Sequence, residues 1–243
     1  MNVLAIGNSF SQDATRYLHQ IAQADGFSLC VVNLYIGGAP LSLHYRNLCE
    51  DKKSYSLEYN GESTGFFVSI REALTARPWD VITLQQVSWE SPRYETYQPY
   101  LNALTAYCRE TCPDAKLMLH QTWAYEQGST RLCEELGYSD QSSMFLDLKS
   151  AYEQAAKEIR ADGIIPSGEA FQALYQAGLG PFHRDTFHAT YGWGRYTLGL
   201  VWYEYLTGTS VVDNSFCAFD EPIDAAQIVV AKQTAHQTVL ACP

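Results

Sequence analysis

A serine, an aspartate and a histidine stand where they could carry out acyl transfer. Ser9 lies in Gly7-Asn8-Ser9-Phe10-Ser11, directly after a short apolar run over residues 1–6. Asp185 and His188 are three apart in His183-Arg184-Asp185-Thr186-Phe187-His188. At a helix start, that spacing lets the carboxylate accept from one imidazole nitrogen. The tautomer is then fixed and the other nitrogen is left to take a proton from a hydroxyl. A serine activated in this way attacks acyl carbons, and backbone N–H groups at a helix N-terminus can receive the oxyanion. Each motif also has an ordinary structural reading: the Gly-Asn-Ser turn as a helix cap, and Asp-x-x-His as a capping Asp beside a packed His. Jointly, in the order Ser, Asp, His, they supply nucleophile, orienter and base for one site.

Periodicity places the elements that must hold these residues. Residues 1–6 are too short for a helix and read as a buried strand. Ser11 is expected to cap the next helix, in which Tyr17, Leu18 and Ile21 recur at helical spacing until Asp25-Gly26. A second strand over 28–36 ends in Gly37-Gly38-Ala39-Pro40, a tight loop that frees backbone amides. Residues 41–49 form a short helix with a packing or surface His44. Residues 54–68 alternate around Asn60-Gly61 and read as an inserted β-hairpin, in a position from which it can reach over the site.

Further strands are expected over 81–86, closing in Gln85-Gln86, over 116–122, and over 164–166. Helices are expected over 69–76, from Pro99, over 142–161, 168–177 and 191–206, and from Pro222 to about 240. Strands alternating with helices imply one α/β domain over 1–243, with a mostly parallel five-stranded sheet between helical layers. The carboxyl ends of such strands face the ligand crevice.

The 243 residues carry 27 Asp and Glu against 16 Lys and Arg, a net charge of -11 that repels nucleic acid and anionic membrane surfaces. No apolar run approaches the roughly 18 residues of a membrane span, and no basic region precedes an apolar core at the amino terminus, so a cytoplasmic location is expected. Seven scattered cysteines without a C-x-x-C pair read as reduced thiols and not as a metal site. Aromatic residues crowd the third and fourth strand ends, among them Trp89, Trp123 and Tyr125, where they can stack on sugar faces or simply pack. The hairpin aromatics are compatible with a homo-oligomer contact.

These residues resemble the SGNH, or GDSL, hydrolases, flavodoxin-like three-layer α/β/α proteins that cleave esters and thioesters. Gly7-Asn8-Ser9-Phe10-Ser11 is similar to the family's first block, with the nucleophile at Ser9. Residues 33–40 (NLYIGGAP) are similar to the second block, whose glycine amide helps form the oxyanion hole and falls on Gly38. Asp185-Thr186-Phe187-His188 matches the last block, D-x-x-H. Two features depart from the pattern. Asn8 stands where the family usually has Asp, and the G-x-N-D block, whose asparagine is the third oxyanion donor, is replaced by Leu84-Gln85-Gln86-Val87-Ser88-Trp89. A glutamine amide can donate to an oxyanion from one methylene further away, which makes Gln86 the expected donor and Gln85 the other candidate. Counting from the strand start puts the equivalent position nearer Ser88 or Trp89 instead. The resemblance implies a serine esterase with a small-molecule acyl ester as substrate and no cofactor. The aromatics at the third and fourth strand ends, and the little pocket that a short acyl chain needs, favour small O-acyl groups, acetyl above all, on carbohydrates. Long-chain lipid esters or acyl thioesters are the alternative substrates, and an inactive sugar-binding protein on the same fold is the non-enzymatic alternative.

Overall fold

The structure is a computed structural model that describes residues 1–242. Its centre is a sheet in which β1 (Asn2–Gly7) lies between β2 (Cys30–Tyr35) and β5 (Val81–Leu84), followed outward by β6 (Lys116–His120) and β7 (Gly163–Ile165). These five strands are parallel, as the alternation with helices requires. The sheet has seven strands and not five, because the hairpin of β3 (Tyr55–Tyr59) and β4 (Glu62–Val68) pairs antiparallel onto the free edge of β2. Pairing there satisfies the β2 edge amides and carbonyls that an independent hairpin would have left open. The hairpin does not reach over the site. Tyr59 lies opposite Val32, so the Asn60-Gly61 turn sits toward the start of β2, at the far end of the sheet from Ser9.

Helices α1 (Ser9–Thr15), α2 (Leu18–Ala24), α8 (Trp193–Thr207) and α9 (Ala225–Ala241) pack together as one layer. Helices α3 (Leu41–Cys49), α4 (Ile70–Thr75), α5 (Tyr100–Thr111) and α6 (Gln141–Ile159) form the other, and α7 (Ser167–Gln176) touches α6, α8 and α9. The strand order 2-1-5-6-7 reverses direction at β1, so consecutive connections leave on opposite faces and open a crevice at the carboxyl ends of β1 and β5. Both Ser9 and the Gln85-Gln86 stretch emerge there.

Three helix starts differ from expectation for local reasons. Helix α1 begins two residues before Ser11, because Asn8 is its cap: Asn8 Oδ1 accepts from the Phe10 N–H at 3.0 Å. Ser11 turns inward instead and donates to Asn33 Oδ1 at 2.7 Å. Helix α9 begins at Ala225 and not at Pro222, since Asp224 and Gln227 form a reciprocal capping box. Helix α8 begins at Trp193, which leaves Asp185 and His188 in a loop that closes on itself through the His183–Ala189 bridge. Gly208, with a φ of +71°, ends α8 at the expected place.

Candidate active site

The crevice brings Ser9, Asp185 and His188 into one hydrogen-bonded line. His188 Nε2 is 2.7 Å from Ser9 Oγ, and His188 Nδ1 is 2.7 Å from Asp185 Oδ2. The second carboxylate oxygen of Asp185 accepts the backbone N–H of His188 at 2.9 Å. The short loop can turn this tightly because Thr186 adopts a φ of +74°, a left-handed conformation that a β-branched residue tolerates only when its surroundings hold it. A hydrogen bond of 2.7 Å from the Glu126 N–H to the Thr186 carbonyl supplies part of that hold. Burial alone would raise the Asp185 carboxyl. The hydrogen bonds from His188, with the nearby charge of Arg184, hold it below the usual carboxylate range, so it is ionised when the imidazole needs a counter-charge.

Ser9 owes its position to the turn before it. A Cβ at Gly7 would come within 2.5 Å of Ser11 Oγ and 2.9 Å of Gln85 Oε1, so only glycine lets the chain pass. Asn8 uses its whole amide. Oδ1 caps α1 and accepts from Gln85 Nε2 at 2.8 Å, while Nδ2 donates to the Ala39 carbonyl at 3.1 Å. An aspartate could not make that last bond, which accounts for Asn8 in place of the acid the resemblance leads one to expect. The bond also ties the nucleophile turn to the loop carrying Gly38.

Gly38 itself has a φ of +63°, and an added Cβ would lie 3.1 Å from the Trp89 ring. Its N–H and the Ser9 N–H donate to no acceptor among the described residues. Two free amides therefore flank the serine, one of them at the start of α1, as an oxyanion site requires.

The two glutamines do not join them, which corrects the expectation for Gln86 and Gln85. Gln86 is fully buried: its Oε1 accepts from the Leu41 and Val87 N–H groups, each at 2.9 Å, and its Nε2 donates to Thr96 O and Oγ1, each at 3.1 Å. Both amide hydrogens are committed, so the side chain staples the loop after β5 to the start of α3. Gln85 is stapled in the same way between Asn8 and His120, whose Nδ1 lies 2.8 Å from Gln85 Oε1. Because that oxygen can only accept, the His120 proton is on Nδ1, and Nε2 accepts from Ser167 Oγ at 3.0 Å. Burial pushes His120 down to about 3, which keeps it neutral.

A cavity of about 220 Å³ opens over Ser9 and His188, with Tyr35, Gly38, Val87, Ser88, Trp89, Arg131 and Phe187 among its walls. Ser88 and Trp89, reached by counting from the strand start, line it, whereas neither glutamine does. Ser88 Oγ is 2.8 Å from Tyr125 Oη. Trp123 and Tyr125 are buried among other rings, so the sugar-stacking expectation fails for both; Trp123 Nε1 instead donates to the Phe187 carbonyl at 2.7 Å and steadies the histidine loop. Trp89 keeps 37% of its surface exposed. Larger cavities beside α3 (about 630 Å³) and between α6, α7 and α9 (about 680 Å³) contain no member of the triad.

One positioning residue was not singled out by sequence reasoning. Asp13, one helical turn after Ser9 and fully buried, accepts from Arg184 Nη1 at 2.9 and 2.8 Å, from Arg195 Nε at 2.8 Å and from the Ala189 N–H at 3.1 Å. It thereby clamps both ends of the His188 turn onto α1. The available signal was an acid between Phe10, Ala14 and Tyr17 on the apolar face of a helix. Among the described residues no group of His, Cys, Asp and Glu is arranged to hold a metal ion, and no helix is long and apolar enough to cross a membrane.

The doubly wound sheet is the fold of the SGNH hydrolases, and this chain shares it. More particularly, it belongs to the DUF4886 family, described as a domain of unknown function, whose profile matches residues 2–238. A DUF4886 protein from Bacteroides uniformis superposes with a TM-score of 0.92 at 35% identity, covering 99% of this chain and 95% of its own. A protein from Slackia heliotrinireducens proposed to be an SGNH hydrolase superposes at 0.61 with 22% identity, over 84% of this chain and 97% of its own. A proposed GDSL-like lipase from Parabacteroides merdae reaches 0.54 at 15% identity, over 84% and 94%. No curated protein matches the chain.

Proposed function

We propose that this protein is a serine esterase that removes small acyl groups, acetyl above all, from alcohols of the carbohydrate type. The observation that carries this reading is the unbroken line Asp185–His188–Ser9, with both hydrogen bonds at 2.7 Å. Ser9 Oγ attacks the ester carbonyl as His188 Nε2 takes its proton, and Asp185 stabilises the imidazolium through Nδ1. The amides of Ser9 and Gly38 receive the oxyanion. Ser88 is the third donor: if Tyr125 donates to Ser88 Oγ, the serine proton is free to face the cavity that Ser88 lines. His188 then protonates the departing alcohol, and a water activated by the same nitrogen releases the acid from Ser9.

The cavity of about 220 Å³ supports a short acyl group over a long chain, since it falls below the roughly 300–1,000 Å³ of sites that take larger ligands. The half-exposed Trp89 ring supports a sugar-like alcohol. The test is hydrolysis of p-nitrophenyl acetate, butyrate and octanoate by wild type and Ser9→Ala, with intact-mass detection of fluorophosphonate on Ser9. Serine-dependent turnover that falls with chain length, together with labelling, is expected. An unlabelled, inactive wild type would move the function to sugar binding without turnover.

A further inference from the structure

Arg131 stands on the wall of the Ser9 cavity and forms no ion pair with a carboxylate among the described residues. Its guanidinium carbon lies 4.1 Å over the Phe187 ring, and that ring is 3.9 Å from the His188 imidazole, centroid to centroid. Its charge also reaches Tyr125, where it opposes the burial that raises the phenol. Glu134 and Glu135 belong to the same short turn, Arg131–Glu135, yet neither forms an ion pair with it among the described residues. In a chain with 27 acids for 16 Lys and Arg, a half-buried guanidinium left beside a reactive cavity points to an anion supplied from outside.

The side of the cavity follows from the chemistry. His188 delivers its proton to the leaving oxygen, so groups stacked beside the imidazole face the alcohol portion of an ester, not its acyl group. Beyond Trp89 a second cavity of about 320 Å³, which that ring shares, offers room for the remainder of the alcohol.

Resting on the esterase reading, we propose that Arg131 selects esters whose alcohol carries a carboxylate, which the guanidinium receives as a two-pronged hydrogen-bonded pair. An O-acylated sugar acid has both features the walls call for: a ring for Trp89 and a carboxylate for Arg131. No proton or covalent step is assigned to Arg131; it determines specificity.

The probes are 4-acetoxybenzoate and its neutral analogue 4-acetoxybenzamide. The carboxylate makes the phenol a poorer leaving group than the carboxamide does, so a preference for the acid runs against intrinsic reactivity. Wild type is expected to favour the benzoate in kcat/KM. Arg131→Met, which preserves packing on Phe187, is expected to lose about 10- to 100-fold on the benzoate, mainly through KM, and to change little on the benzamide. Arg131→Lys should recover part of the loss. Equal losses on both esters, or a wild-type preference for the benzamide, would overturn the proposal.

A second arm needs no turnover. In Ser9→Ala protein, 4-hydroxybenzoate should bind more tightly than 4-hydroxybenzamide, and adding Arg131→Met should abolish the difference. Carboxylate-selective binding in a protein that hydrolyses neither ester would sink the esterase reading alone. Serine-dependent turnover without selectivity would sink the Arg131 assignment alone.

Discussion

Two aspartates hold the turn that carries His188, and they do so in opposite surroundings. Asp13 is fully buried, and its charge is matched by the guanidinium groups of Arg184 and Arg195. Asp185 is 46% exposed, and its partner is an imidazole, which in the proposed mechanism gains and loses a proton in every turnover. Full burial suits the first pair, because permanent charges in good geometry offset each other's desolvation. It would hinder the second, because withdrawing solvent from His188 would penalise the imidazolium that the proposed mechanism requires. The buried pair is thus a fastener and the wet pair a working part, and the first sets the reach of the second to Ser9.

Breaking the working part should have the largest effect on rate. Asp185→Asn is expected to lower kcat by about 10⁴-fold, as loss of the orienting carboxylate does in such triads, while thermal unfolding moves little. A drop of less than tenfold would mean that the Glu126 and Thr186 backbone contacts orient the histidine without Asp185. Breaking the fastener should reverse the pattern. Asp13→Ala leaves Arg184 and Arg195 around a vacated buried site, at an expected cost of about 3–5 kcal/mol in denaturant-induced unfolding. Activity should fall with it as the loop loosens. A stability change under about 1 kcal/mol would remove Asp13 from that role.

The smallest effects lie after β5 and test the same division between framework and chemistry. Ser88→Ala should cost about 100-fold in rate with little change in stability. Gln86→Ala should cost about 2 kcal/mol or more by stranding buried partners such as the Leu41 N–H, with a smaller change in rate. The opposite outcome for this pair would restore Gln86 as the oxyanion donor.

Most of the frame is encoded locally. The apolar run before Gly7, the helix at Leu41–Cys49, the Asn60-Gly61 turn and the stop at Gly208 follow from residue types a few positions apart, which local sterics and capping decide. The order Ser9, Gly38, Asp185, His188 was legible because each residue sits in a short recognisable motif, although the turn from Asp185 to His188 takes its shape from the distant Glu126 and Asp13 as well.

Whom each polar side chain meets depends instead on the assembled fold. Gln85 and Gln86 look free at a strand end, but their partners Asn8 and Leu41 come from 77 and 45 residues away. Asp13 meets Arg184 across 171 positions, and no local pattern encodes that meeting. The hairpin became part of the sheet because β2 had an open edge, and Trp123 and Tyr125 became core because Phe171 and Phe187 closed over them. Backbone conformation is governed by near neighbours. Hydrogen-bond satisfaction and burial depend on which distant segments the folded sheet brings together.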